Sequence, residues 1–182
     1  MKVLVVIDMQ KDFIDGALGT KEAQAILPNV VNRVANSRNE LILFTYDTHQ
    51  EDYLDTPEGK KLPVIHCIKG TEGWEVDEGI ITAWKHNKET VKLAKDSDHM
   101  YNKPVFGSVA LVEDLVKRAD EISEIELIGV CTDICVISNA LLLKNHLPHI
   151  PISVTAALCA GVTPEGHDAA LKVMSMCQVD VV

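Results

Sequence analysis

The sequence predicts an α/β fold, in which helices cover the faces of a parallel β-sheet. Apolar runs of strand length alternate along the chain with segments of helical period. The first run, VLVVI within Lys2–Asp8, is continuously apolar, as expected for a strand that is buried on both faces. With 182 residues, 47% of them hydrophobic, the chain can form one sizeable core, so we expect a single domain over residues 1–182.

Six runs along the chain have the length and apolar character of a strand. The third of them, ETVKLAKD, is the weakest, and the last is short. In chain order the predicted strands are Lys2–Asp8, Glu40–Asp47, Glu89–Asp96, Glu124–Val130, Ile150–Val154 and Val179–Val182. Their alternation with helical segments is typical of a repeated strand-helix fold.

Four helices are predicted from apolar spacing and from capping residues. In the first helix, Ile26, Val30 and Val34 recur at intervals of three or four residues and form one apolar face. Ser108 is placed to cap the second helix, whose apolar positions are Leu111, Val112, Leu115 and Val116. The other predicted helices are Ile134–Lys144 and Pro164–Met176, the latter with proline near its start. The first one runs from about Ala23 to Asn36.

The periodicity fails between Thr48 and Lys88. This stretch holds four glycines, two prolines and both tryptophans of the chain. Loops of this length in compact domains are functional or disordered. Because Trp74 and Trp84 favour burial, we expect an ordered, functional insert at about residues 48–88.

Charge and cysteine usage exclude several classes of partner. A formal net charge of -10 repels phosphate groups, so we expect neither nucleic acid nor an anionic membrane as a partner. The apolar stretch Val3–Ile7 is too short for a signal peptide or a membrane span. Five cysteines, an odd number in a chain of this size, are typical of reduced thiols, and we expect a cytoplasmic protein.

Reactive side chains follow four of the predicted strands. Asp8 ends the first strand, Asp47 ends the second, Lys103 follows the third and Cys135 follows the fourth. Ligands of open parallel sheets bind beyond the carboxyl ends of the strands, at the point where the strand order reverses. If the first and fourth strands are neighbours there, Asp8 and Cys135 face each other across a crevice that Lys103 also reaches.

Asp8, Lys103 and Cys135 suit nucleophilic catalysis. A thiol at the start of a helix lies at the positive end of the helix dipole, which lowers the thiol pKa, and a lysine ammonium adds to this effect. A carboxylate can accept the thiol proton and later return it to a leaving amine. Free N–H groups at the helix start can stabilise an oxyanion. The residues alone leave simpler interpretations open: a buried thiol, a capping aspartate and a solvated lysine.

A second group of side chains lies at and beyond the second strand. Asp47, His49, Glu58 and His66 offer carboxylate and imidazole ligands that suit zinc, iron or manganese. Asp47 and His49 alternate along an extended chain and therefore point the same way. The competing interpretation is a solvated acidic loop with a packed histidine.

Five short segments resemble one family in sequence and in order. They are DMQKDF at the first strand end, DTH, HCIKGTEG, KPVFGS and GVCTDICV, and together they span Asp8 to Val136. This ordered set resembles the isochorismatase-like cysteine hydrolases and, within them, the nicotinamidases. The resemblance implies a doubly wound α/β fold around a six-stranded, mainly parallel sheet with helices on both faces.

The resemblance also implies catalytic roles. Asp8, Lys103 and Cys135 would form the triad: Asp8 deprotonates Cys135, the thiolate attacks a carboxamide, ammonia leaves, and water hydrolyses the thioester. The N–H groups of Cys131 and Cys135 would form the oxyanion hole. A cis peptide bond is implied between Val130 and Cys131.

By the same resemblance, Asp47, His49 and His66, with water completing the shell, would bind one divalent metal ion that takes the pyridine nitrogen of the substrate. Many relatives have a third histidine where we place Glu58 as a further ligand, and the acids Glu51, Asp52 and Asp55 lie nearby as alternatives. The implied substrates are small amides such as nicotinamide, as part of NAD salvage, and pyrazinamide. Phe13 would form one wall of the ring pocket, and Trp74, Tyr101 and Phe106 are the candidates for the other. Relatives often carry a tryptophan shortly before the metal histidine, whereas Leu62–Ile65 contains none. Relatives also form dimers or larger assemblies, so a homo-oligomer is in keeping with the resemblance.

Four functions compete at this point. They are a metal-dependent nicotinamidase, a related small-amide or N-carbamoyl amidase without metal, a vinyl-ether hydrolase like isochorismatase, and a non-catalytic interaction domain. The Asp47, His49 and His66 set argues against the second. Cys135 argues against the third, and the full set of catalytic positions argues against the fourth. We therefore expect an amidohydrolase that acts on a carboxamide C–N bond.

Overall fold

The structure is a computed structural model that describes residues 1–38, 40–87 and 99–182. Within these residues, six strands form one sheet in the order β3-β2-β1-β4-β5-β6, and all five neighbouring pairs are parallel. The strands are β1 Lys2–Ile7, β2 Glu40–Asp47, β3 Met100–Lys103, β4 Glu124–Val130, β5 Ile152–Ala160 and β6 Asp180–Val181. The predicted doubly wound α/β fold is thereby confirmed.

Two strands differ from the prediction. The predicted strand Glu89–Asp96 lies outside the described residues, and the strand that pairs with β2 is β3, which the sequence pattern does not indicate. Strand β5 was predicted to end at Val154 but continues to Ala160. Its pairing with β4 is irregular between Leu127 and Gly129, so the apolar pattern of β5 changes half-way along the strand.

Seven α-helices are present in the described residues. They are α1 Lys11–Ile14, α2 Lys21–Ala35, α3 Pro57–Lys61, α4 Glu78–Asn87, α5 Val109–Lys117, α6 Ile137–His146 and α7 Pro164–Met176. The Ser108 hydroxyl accepts a hydrogen bond from Leu111 N and so caps α5, as predicted. A π-helical turn, Thr132–Val136, leads into α6. None of the helices in the described part of the chain has the length and apolar character that a membrane crossing requires.

Helix α4 corrects the expectation of an aperiodic insert. Its apolar side chains Ile80 and Trp84 are one turn apart and buried, and they pack into the core with α2. The Asp77 carboxylate accepts from Gly79 N at 2.8 Å and caps the helix. An aspartate three residues before a buried isoleucine is a recognisable start signal, but a helix of fewer than three turns does not stand out among the polar residues of this stretch.

Alternate side chains of the central strands pack on opposite faces of the sheet. Val3, Val5 and Ile7 of β1 belong to one core cluster with α5, α6 and α7. Leu4 and Val6 belong to a second cluster with α2 and α4. Both faces of β1 are therefore covered, which explains why its sequence is continuously apolar.

The strand order reverses between β1 and β4. Ile7 pairs with Gly129, whose φ is +121° and whose added Cβ would lie 2.1 Å from Ile7 O, so only glycine fits there. Asp8, directly after β1, has a φ of 46°, which is uncommon for a residue with a side chain. The reversal thus places Asp8 at the mouth of the crevice where ligands of this fold class bind.

Candidate active site

Lys103, Asp8 and Cys135 come together at the carboxyl edge of the sheet. Lys103 Nζ lies 2.6 Å from Asp8 Oδ2 and 3.4 Å from Cys135 Sγ. The three side chains come from the end of β3, the end of β1 and the turn after β4. Lys103 reaches across β2, whose Asp47 Oδ1 lies 3.4 Å from the same ammonium. All four side chains are buried.

Charge interactions keep Lys103 protonated. Burial alone lowers the pKa of Lys103, but the negative charges of Asp8, Cys135 and Asp47 outweigh burial and raise the pKa above its ordinary value. Burial raises the pKa of Asp8, while Lys103 acts in the opposite direction. Asp8 Oδ1 also accepts a hydrogen bond from Thr45 Oγ1 at 2.5 Å. Asp8 is thus a carboxylate whose basicity is raised by burial and whose position is fixed by two partners.

The Cys135 thiol differs from the sequence-based expectation. A lowered pKa was expected from its place at a helix start, whereas burial raises the pKa of Cys135 well above its ordinary value. The charge of Asp8 and a hydrogen bond with Asp8 raise it further, and Lys103 opposes them. Desolvation and the neighbouring carboxylates therefore outweigh the charge of Lys103, and the resting group is a thiol with a carboxylate beside it.

Asp47, His49 and His66 form a compact group of metal-binding side chains. One ligand atom from each lies within 4.8 Å of the other two, and all three residues are buried. His49 Nε2 lies 3.1 Å from Asp47 Oδ2, and His66 Nε2 lies 3.4 Å from the same oxygen. Burial raises the pKa of Asp47, but hydrogen bonds from the two histidines and the charge of Lys103 outweigh burial and lower it. Two imidazoles and a carboxylate around one point are able to bind a divalent metal ion.

The surroundings of the group fix the histidine orientations. His66 Nδ1 donates to Val64 O at 2.8 Å, which holds the ring with Nε2 facing Asp47 Oδ2 at 3.4 Å. The Tyr53 ring packs against both imidazoles, with centroids 4.5 Å from His49 and 5.0 Å from His66. Nothing in the local sequence indicates this role for Tyr53.

Glu58, predicted as a further metal ligand, lies beside the group. Its Oε1 is 3.8 Å from His49 Nε2, and it borders the same cavity as Asp47 and His66. It is not one of the three closely spaced ligands. Helix α3, capped by Thr56, carries Glu58 to this position.

Gln10 binds the end of β2, the strand that carries Asp47, and is a site residue that the sequence analysis did not identify. This buried carboxamide donates to Asp47 O at 2.9 Å and to Trp74 O at 2.8 Å, and it accepts from Asp47 N at 2.8 Å. It therefore bonds the peptide groups on both sides of Asp47. Similarly, Asp12 Oδ2 accepts from Cys67 N at 2.7 Å, next to His66.

A cavity of about 270 Å³ opens onto the thiol and the metal-binding group. Apolar and polar residues both line it. The apolar ones are Phe13, Leu18, Leu62, Phe106, Ile134 and Val162, and the others are Thr20, Asp47, Glu58, His66, Cys131 and Cys135. The Phe13 ring centroid lies 5.6 Å from that of His66. A flat aromatic ligand fits such a slot, because apolar surface surrounds it and polar groups lie at one end.

Two predicted pocket residues lie elsewhere. The Trp74 indole donates to Thr48 Oγ1 at 2.8 Å and packs against Tyr46, so its ring lies away from this cavity. The Tyr101 hydroxyl donates at 2.7 Å to Asp114 Oδ2 of α5. The Tyr101 side chain packs against the core cluster that contains α5, α6 and α7, and it does not line the cavity. Phe106 is the candidate that lines the cavity.

Cys131 lies on the cavity wall at the start of the π-helical turn. The Val130–Cys131 peptide bond is cis, as the resemblance implied. Cys131 O accepts from Ile134 N at 3.1 Å and from Val136 N at 3.0 Å. Burial raises the pKa of the Cys131 thiol to about 12. Its side chain is therefore a protonated neighbour of Cys135.

Five further cavity residues were not predicted as site residues from the sequence. Leu18, Thr20 and Leu62 come from loops and helix ends that pack over the cavity, while Ile134 and Val162 come from the turns after β4 and β5. The only available signal was position: Val162 and Ile134 each follow a strand end.

Comparisons with known proteins agree on one family. The isochorismatase domain model matches residues 2–182. An uncharacterized isochorismatase family protein PncA of Bacillus subtilis (strain 168) is 28% identical over 176 residues, which are 94% of this chain and 92% of that protein.

Solved structures give the same result. The crystal structure of nicotinamidase/pyrazinamidase PncA from Bacillus subtilis has a TM-score of 0.81 and 27% identity, covering 100% of this chain and 98% of that one. The pyrazinamidase of Pyrococcus horikoshii in complex with zinc has a TM-score of 0.77 and 24% identity, covering 100% and 98%. At that identity the second likeness supports the fold alone.

Proposed function

Because the chain belongs to the isochorismatase family of hydrolases, we propose that it converts nicotinamide to nicotinate and ammonia through a Cys135 thioester. The observation that carries the proposal is the position of Lys103 Nζ, 2.6 Å from Asp8 Oδ2 and 3.4 Å from Cys135 Sγ, below a ring-sized cavity. A nucleophile, a base and a cation within one buried group are the parts that amide cleavage needs. The product, nicotinate, would re-enter NAD synthesis by a salvage route.

In the first half of the reaction, Asp8 removes the proton of the Cys135 thiol as sulfur attacks the amide carbonyl carbon. A thiol with a raised pKa does not ionise alone in this site, so the transfer to Asp8 accompanies the attack. The ammonium of Lys103 stabilises the negative charge that forms on sulfur. When the tetrahedral adduct collapses, the C–N bond breaks and Asp8 returns the proton to nitrogen, which leaves as ammonia.

In the second half, Asp8 takes a proton from water, which attacks the thioester carbonyl. The C–S bond then breaks, the acid is released and the proton returns to Cys135. Backbone N–H groups of Cys131 and Cys135 are placed at the start of the helical segment and would hold the oxyanion in both halves. The Cys131 side chain has no part in these steps.

Asp47, His49 and His66 would hold a divalent metal ion, with Glu58 as the nearest further carboxylate. The fit rests on the fixed orientation of the His66 ring and on two Nε2 atoms within 3.4 Å of one carboxylate oxygen. When bound, such an ion would supply a Lewis acid for the pyridine nitrogen. The Phe13 ring beside His66 would orient the substrate ring against this end of the cavity.

The proposal is tested with purified protein and a panel of substrates. The enzyme, supplied in turn with zinc, iron(II) and manganese(II), is incubated with nicotinamide, pyrazinamide, an N-carbamoyl amino acid and isochorismate. We expect ammonia from the two ring amides and no turnover of the other two. Ammonia from the N-carbamoyl compound with none from nicotinamide would assign the chain to the related amidases instead.

A further inference from the structure

A second buried carboxamide, Asn139, lies on the nucleophile's own helix. Asn139 is in α6, four residues after Cys135, and its side chain has no exposed surface. Its Nδ2 donates to Cys135 O at 2.8 Å and to Phe106 O at 3.1 Å, and its Oδ1 accepts from Ser108 N at 2.9 Å. Both N–H donors and the carbonyl acceptor are therefore used.

These three hydrogen bonds join two parts of the site. The peptide of Cys135 carries the nucleophile, and the segment Phe106–Ser108 connects the strand of Lys103 to helix α5. Within that segment, Phe106 lines the cavity although its side chain is 46% exposed. Apolar packing alone does not hold a half-exposed ring at the mouth of a cavity, so the bond to its carbonyl fixes its backbone.

We propose that Asn139 is a positioning residue that couples the nucleophile Cys135 to the Phe106 wall of the cavity. Its two donors hold both carbonyls from one rigid amide plane, and Ser108 N closes the arrangement from the other side. A shift of the loop would move the ring wall relative to sulfur, and a shift of the helix turn would move sulfur relative to Lys103. The identification of Cys135 as nucleophile rests on the proposed function, whereas the connection between the two segments rests on the hydrogen bonds.

The variant Asn139→Asp tests the coupling. The substitution keeps the acceptor for Ser108 N but replaces the donor by an oxygen that repels the carbonyls of Cys135 and Phe106. Asn145→Asp is the matched control, because Asn145 donates in the same way to a carbonyl four residues earlier in α6 but is exposed. For Asn139→Asp we expect kcat/KM on nicotinamide to fall roughly tenfold or more, with a raised KM. The control should retain both constants.

A second readout does not depend on the substrate. The rate at which iodoacetamide alkylates Cys135 in the folded protein, followed by mass spectrometry, should change in Asn139→Asp and not in Asn145→Asp. A purely structural role would lower the melting temperature while leaving KM and the alkylation rate of the folded protein at wild-type values. If wild-type protein does not hydrolyse nicotinamide, the proposed function fails, and the alkylation rate still decides the coupling.

A double variant tests the route through Phe106. If Asn139 acts on the ring wall, each substitution removes part of the same arrangement. The double variant Phe106→Ala with Asn139→Asp should then raise KM by a smaller factor than the product of the two factors measured for the single variants. The proposal would be overturned if the two factors on KM multiply in the double variant. It would also be overturned by a folded Asn139→Asp protein with wild-type KM and alkylation rate. If Asn139→Asp does not fold, Asn139→Ser, which keeps one donor, is measured in the same way and is expected to show the same changes to a smaller extent.

Discussion

The ammonium of Lys103 lies 2.6 Å from Asp8 Oδ2, and the two side chains are 1% and 0% exposed. A buried charge of this kind requires its partner, because neither ion retains water to stabilise it. The pair also lies against the Cys135 thiol, so the contact that satisfies two buried charges also lies at the proposed reactive centre. Under that proposal, stability and catalysis depend on the same pair.

Replacing Lys103 by methionine should affect both properties. The change leaves Asp8 and Asp47 without their common cation, and we expect a loss of roughly 3–5 kcal/mol in the free energy of unfolding, measured by urea denaturation. Turnover of nicotinamide should fall by about 10² or more, because charge on sulfur loses its stabilisation. Lys2→Met is the control, since Lys2 pairs with Glu124 at the exposed start of β1. A Lys103→Met protein with wild-type turnover would contradict the role given to the ammonium.

Metal binding should depend on His66. In His66→Ala we expect loss of the bound divalent ion, measured by elemental analysis after dialysis, and loss of activity. For the wild type, free metal at 100 times its Kd should add about 2.7 kcal/mol to the free energy of unfolding. His86→Ala serves as control, because His86 makes the same kind of Nδ1 contact with a carbonyl but is exposed. Equal metal content in the two variants would refute this site.

The cavity wall should control substrate affinity. Phe13→Ala removes the ring beside His66, and we expect KM for nicotinamide to rise roughly tenfold, as the loss of one aromatic contact implies. Tyr101→Phe removes only the hydroxyl that bonds Asp114, outside the cavity, and should leave KM unchanged. Steady-state kinetics on both proteins distinguish the two positions. A KM effect from Tyr101→Phe alone would contradict the described cavity.

A polar cluster far from the site should make stability depend on pH. Glu126 accepts from Arg33 and, at 2.7 Å, from Thr155. Burial raises the pKa of Glu126, but these hydrogen bonds outweigh burial and lower it below the ordinary value. A lowered folded-state pKa contributes stability that is complete above the unfolded-state value of about 4.3 and is lost as pH falls through the folded-state pKa.

Glu126→Gln should therefore be less stable than wild type at pH 7, by about 1–2 kcal/mol. The difference should shrink as pH falls below about 4.3, where wild type loses the charge as well. Urea denaturation at pH 7, 4 and 3 measures it. Glu124→Gln, at an exposed position on the same strand, is the control and should show little change at any pH. A difference that stays constant across this range would contradict the lowered pKa.

The parts of the site that lie on strand ends could be predicted from the sequence. Buried strands have an unmistakable apolar pattern, and in a doubly wound sheet their carboxyl ends meet at one edge. Asp8, Lys103 and Cys135 were placed together on that basis, and Asp47, His49, Glu58 and His66 were grouped as metal ligands from their side-chain chemistry. The role of each residue in catalysis stays a prediction until the variants are measured.

Other features depend on long-range contacts that no local pattern records. Gln10 and Asn139 make hydrogen bonds to residues more than 30 positions away, and the sequence indicates no role for either side chain, although Gln10 lies within the DMQKDF segment. The raised pKa of Cys135 follows from burial and from the charge of Asp8, neither of which a helix-start argument takes into account. Trp74 was one of three aromatic candidates for the second wall of the pocket, but its indole N–H is directed to Thr48.

The pair Cys135→Ala and Cys131→Ala tests the central claim most directly. Both cysteines line the cavity, both have raised pKa values, and only Cys135 contacts Lys103 Nζ. With nicotinamide and metal-loaded protein, we expect Cys135→Ala to lose ammonia release by about 10³-fold or more, and Cys131→Ala to keep most of it. Ammonia release that survives in Cys135→Ala, or disappears in a folded Cys131→Ala, would contradict the assignment of Cys135 as the nucleophile.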